Sequence, residues 1–312
     1  HMKINLNNLD LENNTMILEN ESLKKHTTFG VGGNANFIIF PKNKQDLIKL
    51  IRYAHKNKYS IFFLGSGSNV LASDNGFNGI VITLKKALNK IIFSKNDIYT
   101  QAGAMLGTMV RIALSKGYKG LESLVGVPGT VGGALIMNAG AHGTEISELL
   151  ISSRTINKNG RIKTYLKKDI DFSYRKSTFP QDEILLDAKF KIQRGDKNNI
   201  LKRKEKVSIK RKNSQPLKYR SAGSIFKNPD GDFAAGYLID KVGLKGLRIG
   251  DAEISTKHAN FIINHGNAKS DQIYKLINIM KNKVAAKFNI KLELEIKILG
   301  EIIWIKTKLF YI

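Results

Sequence analysis

The chain has no cysteine. That absence excludes disulfides, thiolate metal sites, iron–sulfur clusters and a cysteine nucleophile, and it fits a reducing compartment. Histidine is scarce. Its six copies stand at positions 1, 26, 55, 142, 258 and 265, with no H-E-x-x-H and no other usual ligand spacing. A zinc hydrolase is unsupported and no metal site is expected. G-x-S-x-G is missing as well, which removes the common serine-hydrolase signature. No internal repeat or low-complexity tract occurs. The opening HMKINLNNLDLENN is polar and does not read as a signal peptide, and His1-Met2 reads as a cloning remnant. Acidic residues are outnumbered, 26 against 51 basic ones, for a formal net charge of +25. Such a balance can serve nucleic acid or polyanionic substrates. Here the basic residues are scattered without interleaved aromatics, which favours a lysine-rich surface and no nucleic-acid partner. The field would still draw an anionic nucleotide towards its site.

What is present is enough apolar residue, 42% of 312, for two or three domains with a real core. The stretch that orders the chain is VGVPGTVGGALIMNAGAHG, Val125 to Gly143, with glycine at 126, 129, 132, 133, 140 and 143 and no charge between Ser123 and Thr144. An uncharged run of this length resembles a membrane span, but Pro128, the glycines, Asn138 and His142 argue against one. It reads as a tight Pro-Gly turn at 128–129 followed by Thr130 capping a short helix. A glycine-lined helix start offers bare N–H groups and the positive end of a dipole to an anion. With no lysine or arginine nearby, a phosphate here is expected to be held by backbone alone. A glycine-packed core helix fits the same residues.

Residues 3–25 read as an irregular lead-in. In HTTFGVGG, Gly30, Gly32 and Ala35 mimic a dinucleotide fingerprint, but they open the strand NFIIF (36–40) where that fingerprint must open a helix. A helix over 44–57 follows, with Asn43 as cap, Asp46 in a capping-box-like place, and Leu47, Ile48, Leu50, Ile51 and Ala54 on its apolar face. The strand SIFFL (60–64) runs into GSGSN, Gly65 to Asn69, a loop whose backbone donors can wrap a phosphate as a nest. No G-K-[ST] follows, so it is not the P-loop of ATPases. A plain polar turn is the alternative. Strands are expected at 79–84 and 91–93, and a helix over 106–115 that stops at Gly117. A second α/β unit then has strands at 152–158, 161–166 and 184–193. The basic run from Asp196 to Asn213 reads as a solvated connector helix. A third unit holds a helix near 234–242, HANFIIN (258–264), a helix over 271–288 capped by Ser270, and the alternating strand KLELEIKIL (291–299). That alternation puts Glu293, Glu295 and Lys297 on one face.

Two phosphate-holding loops on successive units would be explained by one pyrophosphate ligand between them. Here seven blocks carry a specific resemblance: HTTFGVGG, FLGSGSNVL, GVPGTVGGALIMNAGAHG, FSYRKSTF, SAGSIFKNP, AEISTKHANFIIN and LELEIKILG, in order over about residues 26–300. The chain resembles the UDP-N-acetylenolpyruvoylglucosamine reductase (MurB) family in its compact subtype, which makes a peptidoglycan precursor. The resemblance implies an α+β fold: a two-subdomain FAD-binding module of the vanillyl-alcohol-oxidase type plus a C-terminal α/β substrate domain. The expected divisions are 3–85, 86–195 and 196–312.

By motif position, Gly65, Ser66, Gly67, Ser68 and Asn69, with Gly129, Thr130, Gly132 and Gly133, are expected along the FAD pyrophosphate. Asn138, Ala139 and Gly140 are expected near the cofactor. FAD is expected to be non-covalent, His142 notwithstanding, and NADPH is the co-substrate. The implied reaction has two halves: NADPH reduces the flavin, and the reduced flavin then reduces the enolpyruvyl group at C3, building charge at C2 and the carboxylate. Arg175 would hold that charge, Ser224 would protonate C2, and Glu295 would stand in the active site. Taken without the family, Arg175 is equally a surface loop arginine, Ser224 and Asn228 equally shape a turn before Pro229, and Glu293 equals Glu295. Tyr174, Lys227 and Asn228 are the expected substrate contacts. Two departures stand out: Tyr219-Arg220 replaces a proline before the SAGS motif, and the longer subtype's substrate-loop tyrosine has no counterpart. The tail EIIWIKTKLFYI is expected to add an edge strand or to mediate association through Trp304 and Phe310. The working picture is a cytoplasmic monomer with small-molecule partners and no membrane. The rival readings are another flavin oxidoreductase on the same module and a basic nucleic-acid-binding protein.

Overall fold

Strand β2 (Asn34–Phe40) shows how the first unit is built. Its side chains alternate, and both faces find a core. Ile39 packs with one apolar cluster, while Ile38 and Phe40 pack with another on the opposite side. A computed structural model describes residues 4–6, 9–13, 15–141 and 143–302 of the chain. His142 and the tail residues Trp304 and Phe310, singled out above, lie outside the described residues.

Strand β1 (Met16–Ser22) pairs antiparallel with β2. The lead-in is therefore not irregular, contrary to expectation. The strand is an edge whose side chains mostly face solvent, so the backbone ladder alone holds it and no apolar period marks it. Helix α1 (Lys44–Lys56) starts where expected, with Asn43 accepting from the Asp46 amide at 2.9 Å. The Asp46 carboxylate does not complete a capping box; it accepts from the amides of Glu12 and Lys42 and the Thr15 hydroxyl, tying down the lead-in. Leu47, Leu50, Ile51 and Ala54 are buried, and they seal one face of the sheet. Strands β3 (Ile61–Phe63), β4 (Val70–Ala72) and β5 (Phe77–Ile82) follow. The first sheet has the order β1-β2-β5-β3, and β5 runs parallel to both β2 and β3.

The second unit is an antiparallel sheet. Strands β6 (Ile91–Phe93) and β7 (Asp97–Gln101) precede helix α2 (Leu106–Ser115) and the short α3 (Val131–Ile136). Then come β8 (Leu150–Asn157), β9 (Ile162–Leu166) and β10 (Glu183–Lys191). The order is β9-β8-β10-β7-β6. The exposed Arg154 pairs with the buried Asp187 at 2.6 Å and ties β8 to β10.

Helix α4 (Lys197–Ser214) is capped by Asp196 and buries only Ile200, as a solvated connector should. The third unit contains α5 (Ala235–Lys241), β11 (Ala252–Ile254), β12 (Ile262–Asn264) and α6 (Ser270–Phe288). Ser270 is the first helical residue, not the cap. Its hydroxyl and amide are taken by Asp74, which links α6 to the loop after β4.

The expected strand over 291–299 is regular only at β13 (Lys297–Leu299). The reason is its partner. β13 leaves its own unit and pairs in parallel with β4, with Lys297, Ile298 and Leu299 opposite Val70, Leu71 and Ala72. Leu299 fills the first unit's core, and Phe29, Val31 and Leu71 fill the third unit's core. Removing the wholly buried Leu71 side chain should therefore loosen both units at once. Leu71→Ala is expected to lower unfolding free energy by about 2–5 kcal/mol, measured by denaturant titration.

Candidate active site

The first cradle is made by a strand end. β3 stops at Phe63, and Gly65 to Asn69 bridge to β4. The Gly67 carbonyl is turned away by the Thr28 amide and hydroxyl, at 3.0 and 3.2 Å. What remains facing the cavity is the donor side. Among the described residues, the amides of Gly65, Ser66, Gly67, Ser68 and Asn69 have no acceptor. Gly67 has φ +72, and a Cβ there would fall 2.1 Å from the His26 carbonyl oxygen, so only glycine fits. The Ser66 hydroxyl lies 2.9 Å from that of Ser68.

The second cradle opens α3. Thr130 Oγ1 accepts from the Gly133 amide at 3.3 Å, the expected cap. The hydrogen-bonded turn falls at Val125–Gly126, closed by the Val127 amide on the Leu124 carbonyl, rather than at Pro128-Gly129. A turn centred on Pro128-Gly129 would be closed by the Thr130 amide on the Val127 carbonyl, a bond that does not form, and Gly129 with φ +135 makes a bend. The amides of Gly129 and Thr130 also lack an acceptor among the described residues. The two cradles converge. A Cβ on Gly65 would stand 2.8 Å from Thr130 Oγ1, and one on Gly129 would stand 3.8 Å from Ser68 Oγ. One cavity of about 510 Å³ is lined by all five loop residues and by Gly129, Thr130, Gly132, Gly133, Ala139 and Gly140. Seven unpartnered donors on two sides of one cavity suit a pyrophosphate.

Arg175 enters the same cavity from a hairpin whose strands are Phe172–Ser173 and Lys176–Ser177. It sits at the turn with φ +55, strained for a side-chain-bearing residue. Its Nε donates to Glu295 Oε1 and its Nη2 to the Gly140 carbonyl, both at 3.0 Å. Asn138 does not line the cavity, contrary to expectation. It is fully buried with φ +42, and its amide donates to Glu145 and, at 3.0 Å, to the Ser173 carbonyl. It therefore holds the hairpin that carries Arg175.

Ser224 also lines the cavity. Its segment lies between two neighbours: Ile225 donates to the Asn260 carbonyl at 2.8 Å, and Glu295 donates to the Ile225 carbonyl at 2.9 Å. Three residues far apart in sequence, Arg175, Ser224 and Glu295, thus share one wall. Glu293 and Glu295 part company here. The Glu293 side chain is 77% exposed and reaches Lys227 Nζ at 3.5 Å, whereas that of Glu295 is 17% exposed and grips Arg175. Burial pushes the Glu295 carboxyl above its ordinary range, and Arg175 opposes the shift.

The three expected substrate contacts stand beside the cavity and do not line it. Tyr174 is exposed, with the Arg175 guanidinium 4.9 Å from its ring centroid, and its hydroxyl accepts from the Asn228 amide at 3.4 Å. Asn228 Oδ1 accepts from Ala235, and Lys227 faces Glu293, so neither supports Ser224 directly. Two cations that the sequence reading missed do line the cavity, Lys297 and Arg211. Burial lowers the Lys297 amine, with Lys227 adding to the effect, and its backbone amide donates to the Asn69 carbonyl at 2.8 Å. Lys297 was within reach, since alternation already put it on the face of Glu295. Arg211 gave no signal inside a run read as solvated.

Two opposed donor cradles on one cavity call for a dinucleotide, and the presence of an Arg–Glu–Ser wall beside them calls for chemistry on it. The first part has a direct match: residues 35–165 fit the family model of an FAD binding domain. The class is thus an FAD-dependent oxidoreductase. Residues 215–299 fit the model described as UDP-N-acetylenolpyruvoylglucosamine reductase, C-terminal domain. The chain is 42% identical over 287 residues to the UDP-N-acetylenolpyruvoylglucosamine reductase of Carboxydothermus hydrogenoformans, covering 91% of this chain and 94% of that one. It is 40% identical to the enzyme of that name from Clostridium tetani, covering 95% of each. The crystal structure of the Thermus caldophilus reductase superposes with a TM-score of 0.79 at 35% identity, over 92% of this chain and 99% of that one. This chain belongs to the UDP-N-acetylenolpyruvoylglucosamine reductase family. The expected fold class holds with it, an FAD-binding module followed by a C-terminal α/β domain.

Glu295 has a measurable signature. Between the ordinary glutamate value and its raised one, the folded protein keeps a proton that the unfolded chain has lost, so stability falls as pH rises through that window. Glu295→Gln should flatten that slope in urea titrations across mildly acidic pH. Arg175→Met removes the opposing charge, and a carboxyl 13C titration should then find Glu295 higher still.

Proposed function

We propose that the chain catalyses the NADPH-dependent reduction of UDP-N-acetylglucosamine enolpyruvate to UDP-N-acetylmuramate, a step of peptidoglycan precursor synthesis, with FAD bound non-covalently. The observation that carries the site assignment is the convergence of Arg175, Ser224 and Glu295 on the cavity lined by both glycine cradles. FAD, when bound, supplies the two-electron redox chemistry.

The protein's own groups have separable tasks. Gly65–Asn69 and Gly129–Thr130, whose amides have no acceptor among the described residues, would hold the FAD pyrophosphate. The Arg175 guanidinium, fixed on one edge by Glu295 and Gly140, has donors left for the substrate carboxylate. Negative charge that builds on that carboxylate is met in a partly desolvated site, where the guanidinium counts for more than in water. Glu295 orients the Arg175 guanidinium for that task, its own carboxyl pushed up by burial. Ser224 Oγ delivers the proton to substrate C2. Tyr174, Lys227 and Asn228, beside the cavity mouth, receive the remainder of the UDP-sugar.

The same reading divides the chain into FAD subdomains 3–85 and 86–195 and a substrate domain 196–312. Each main sheet lies within one of these spans, which supports the division. We read the enzyme as a cytoplasmic monomer without membrane or nucleic-acid partners. No helix among the described residues is long and apolar enough to cross a membrane, and the cysteine-free composition suits a reducing compartment.

The purified protein should be yellow, bleach with NADPH, and regain colour with the enolpyruvyl UDP-sugar but not with alcohols or lactones. Ser224→Ala should slow that reoxidation by about 10²–10⁴-fold while flavin reduction by NADPH stays near normal. Stopped-flow absorbance separates the two half-reactions, and an equal fall in both would remove Ser224 from the proton-donor role.

A further inference from the structure

Arg211 lies near the C-terminal end of α4, outside every motif that marks the family resemblance. It nonetheless lines the FAD cavity together with Gly126, Val127, Pro128 and Gly129. Its guanidinium packs over Gly126, where a Cβ would come within 3.0 Å of Arg211 Nε, and Gly126 has φ +75. The backbone thus leaves room for this one side chain. Among the described residues the guanidinium has no hydrogen-bond or ion-pair partner. Its pKa is lowered by burial alone.

No carboxylate of the cavity compensates it. Glu295 is taken by Arg175, and Glu183 accepts from the hydroxyls of Thr155 and Tyr165. A half-buried guanidinium with five free N–H donors is costly unless an anion meets it. On the adjoining wall stand the unpartnered amides of Gly129 and Thr130. The site is therefore not purely backbone, as its local sequence implied. Helix α4 itself buries a single residue, Ile200, so little apolar packing fixes it.

We propose that Arg211 is a phosphate ligand of the bound FAD, reaching in from the connector helix and clamping α4 onto the cofactor. The inference rests on the FAD reading above. The shared chemistry is a nucleotide pyrophosphate, which FAD, NADPH and the UDP-sugar all carry. The position beside the unpartnered amides of the second cradle assigns it to FAD.

The test uses deflavinated full-length protein and FAD titration followed by flavin fluorescence. Arg211→Met keeps the apolar stem and removes the charge. It should weaken FAD binding by about 10–100-fold, leave the apoprotein melting temperature near that of wild type, and abolish FAD-induced protection of α4 amides from hydrogen exchange. Arg203→Met, an exposed position on the same helix, should leave FAD affinity unchanged. Should the Met variant fail to fold, Arg211→Gln carries the same expectation. Wild-type FAD affinity in Arg211→Met would overturn the proposal. So would a raised KM for the UDP-sugar or NADPH with FAD affinity intact, which would move the residue to that ligand's phosphates. An equal loss in Arg203→Met would reduce the effect to helix charge and would also overturn it. A wild-type chain that takes up no FAD would sink the underlying functional reading, and that failure appears before any variant is made.

Discussion

The structure depends on one short parallel pairing, β13 against β4. β4 is the strand that leaves the first glycine cradle, and β13 is the strand that follows Glu295. Their register puts Lys297 beside Val70, so the wall with the carboxylate stands next to the loop with the amide donors. Two further contacts reinforce this: Asn69 Nδ2 donates to the Glu295 carbonyl at 3.0 Å, and the Lys297 amide donates to the Asn69 carbonyl. The first glycine loop and the segment carrying Glu295 are therefore tied together by backbone and side-chain hydrogen bonds. Three ladder residues are few, but they are flanked by cores that each borrow side chains from the other unit. Apolar burial, about 1.5–3 kcal/mol for each large side chain, supplies what the hydrogen bonds alone do not.

The electrostatics follow from the same closeness. Arg175 is held by a carboxylate and a carbonyl while its backbone occupies a strained turn. Asn138, itself in the left-handed region, supports that turn from behind. Strain at two consecutive supports is tolerated because packing leaves no alternative. Burial raises the Glu295 carboxyl and lowers the Lys297 amine, so for both groups the surroundings disfavour the charged form.

Much of this was legible in the sequence, and the exceptions share a cause. Helix α1 declared itself through its cap and apolar spacing, α2 through the glycine that stops it, α3 through its Thr130 cap and α4 through its basic run, and both cradles through glycine clusters at a strand end and a helix start. β1 was invisible because an exposed edge strand has no apolar face. The strand expected over 291–299 was too long because alternation records which side chains are buried and says nothing of which backbone pairs with it. Glu293 and Glu295 shared a face in the pattern, yet one meets solvent and the other a cavity built by residues 120 positions away. Asn138 sat in the right motif but acts one layer behind the cavity. Arg211 was hidden because a charge in a basic run looks like its neighbours until the fold brings a wall to it.

The late position of β13 in the chain has a bearing on biogenesis. During synthesis the first cradle is made early, but the strand that completes its wall is among the last described residues to appear. A nascent polypeptide must hold β4 without this ladder partner until β13 has been made. Until that strand has been made, the first glycine loop lacks the hydrogen bonds that Asn69 exchanges with Glu295 and Lys297.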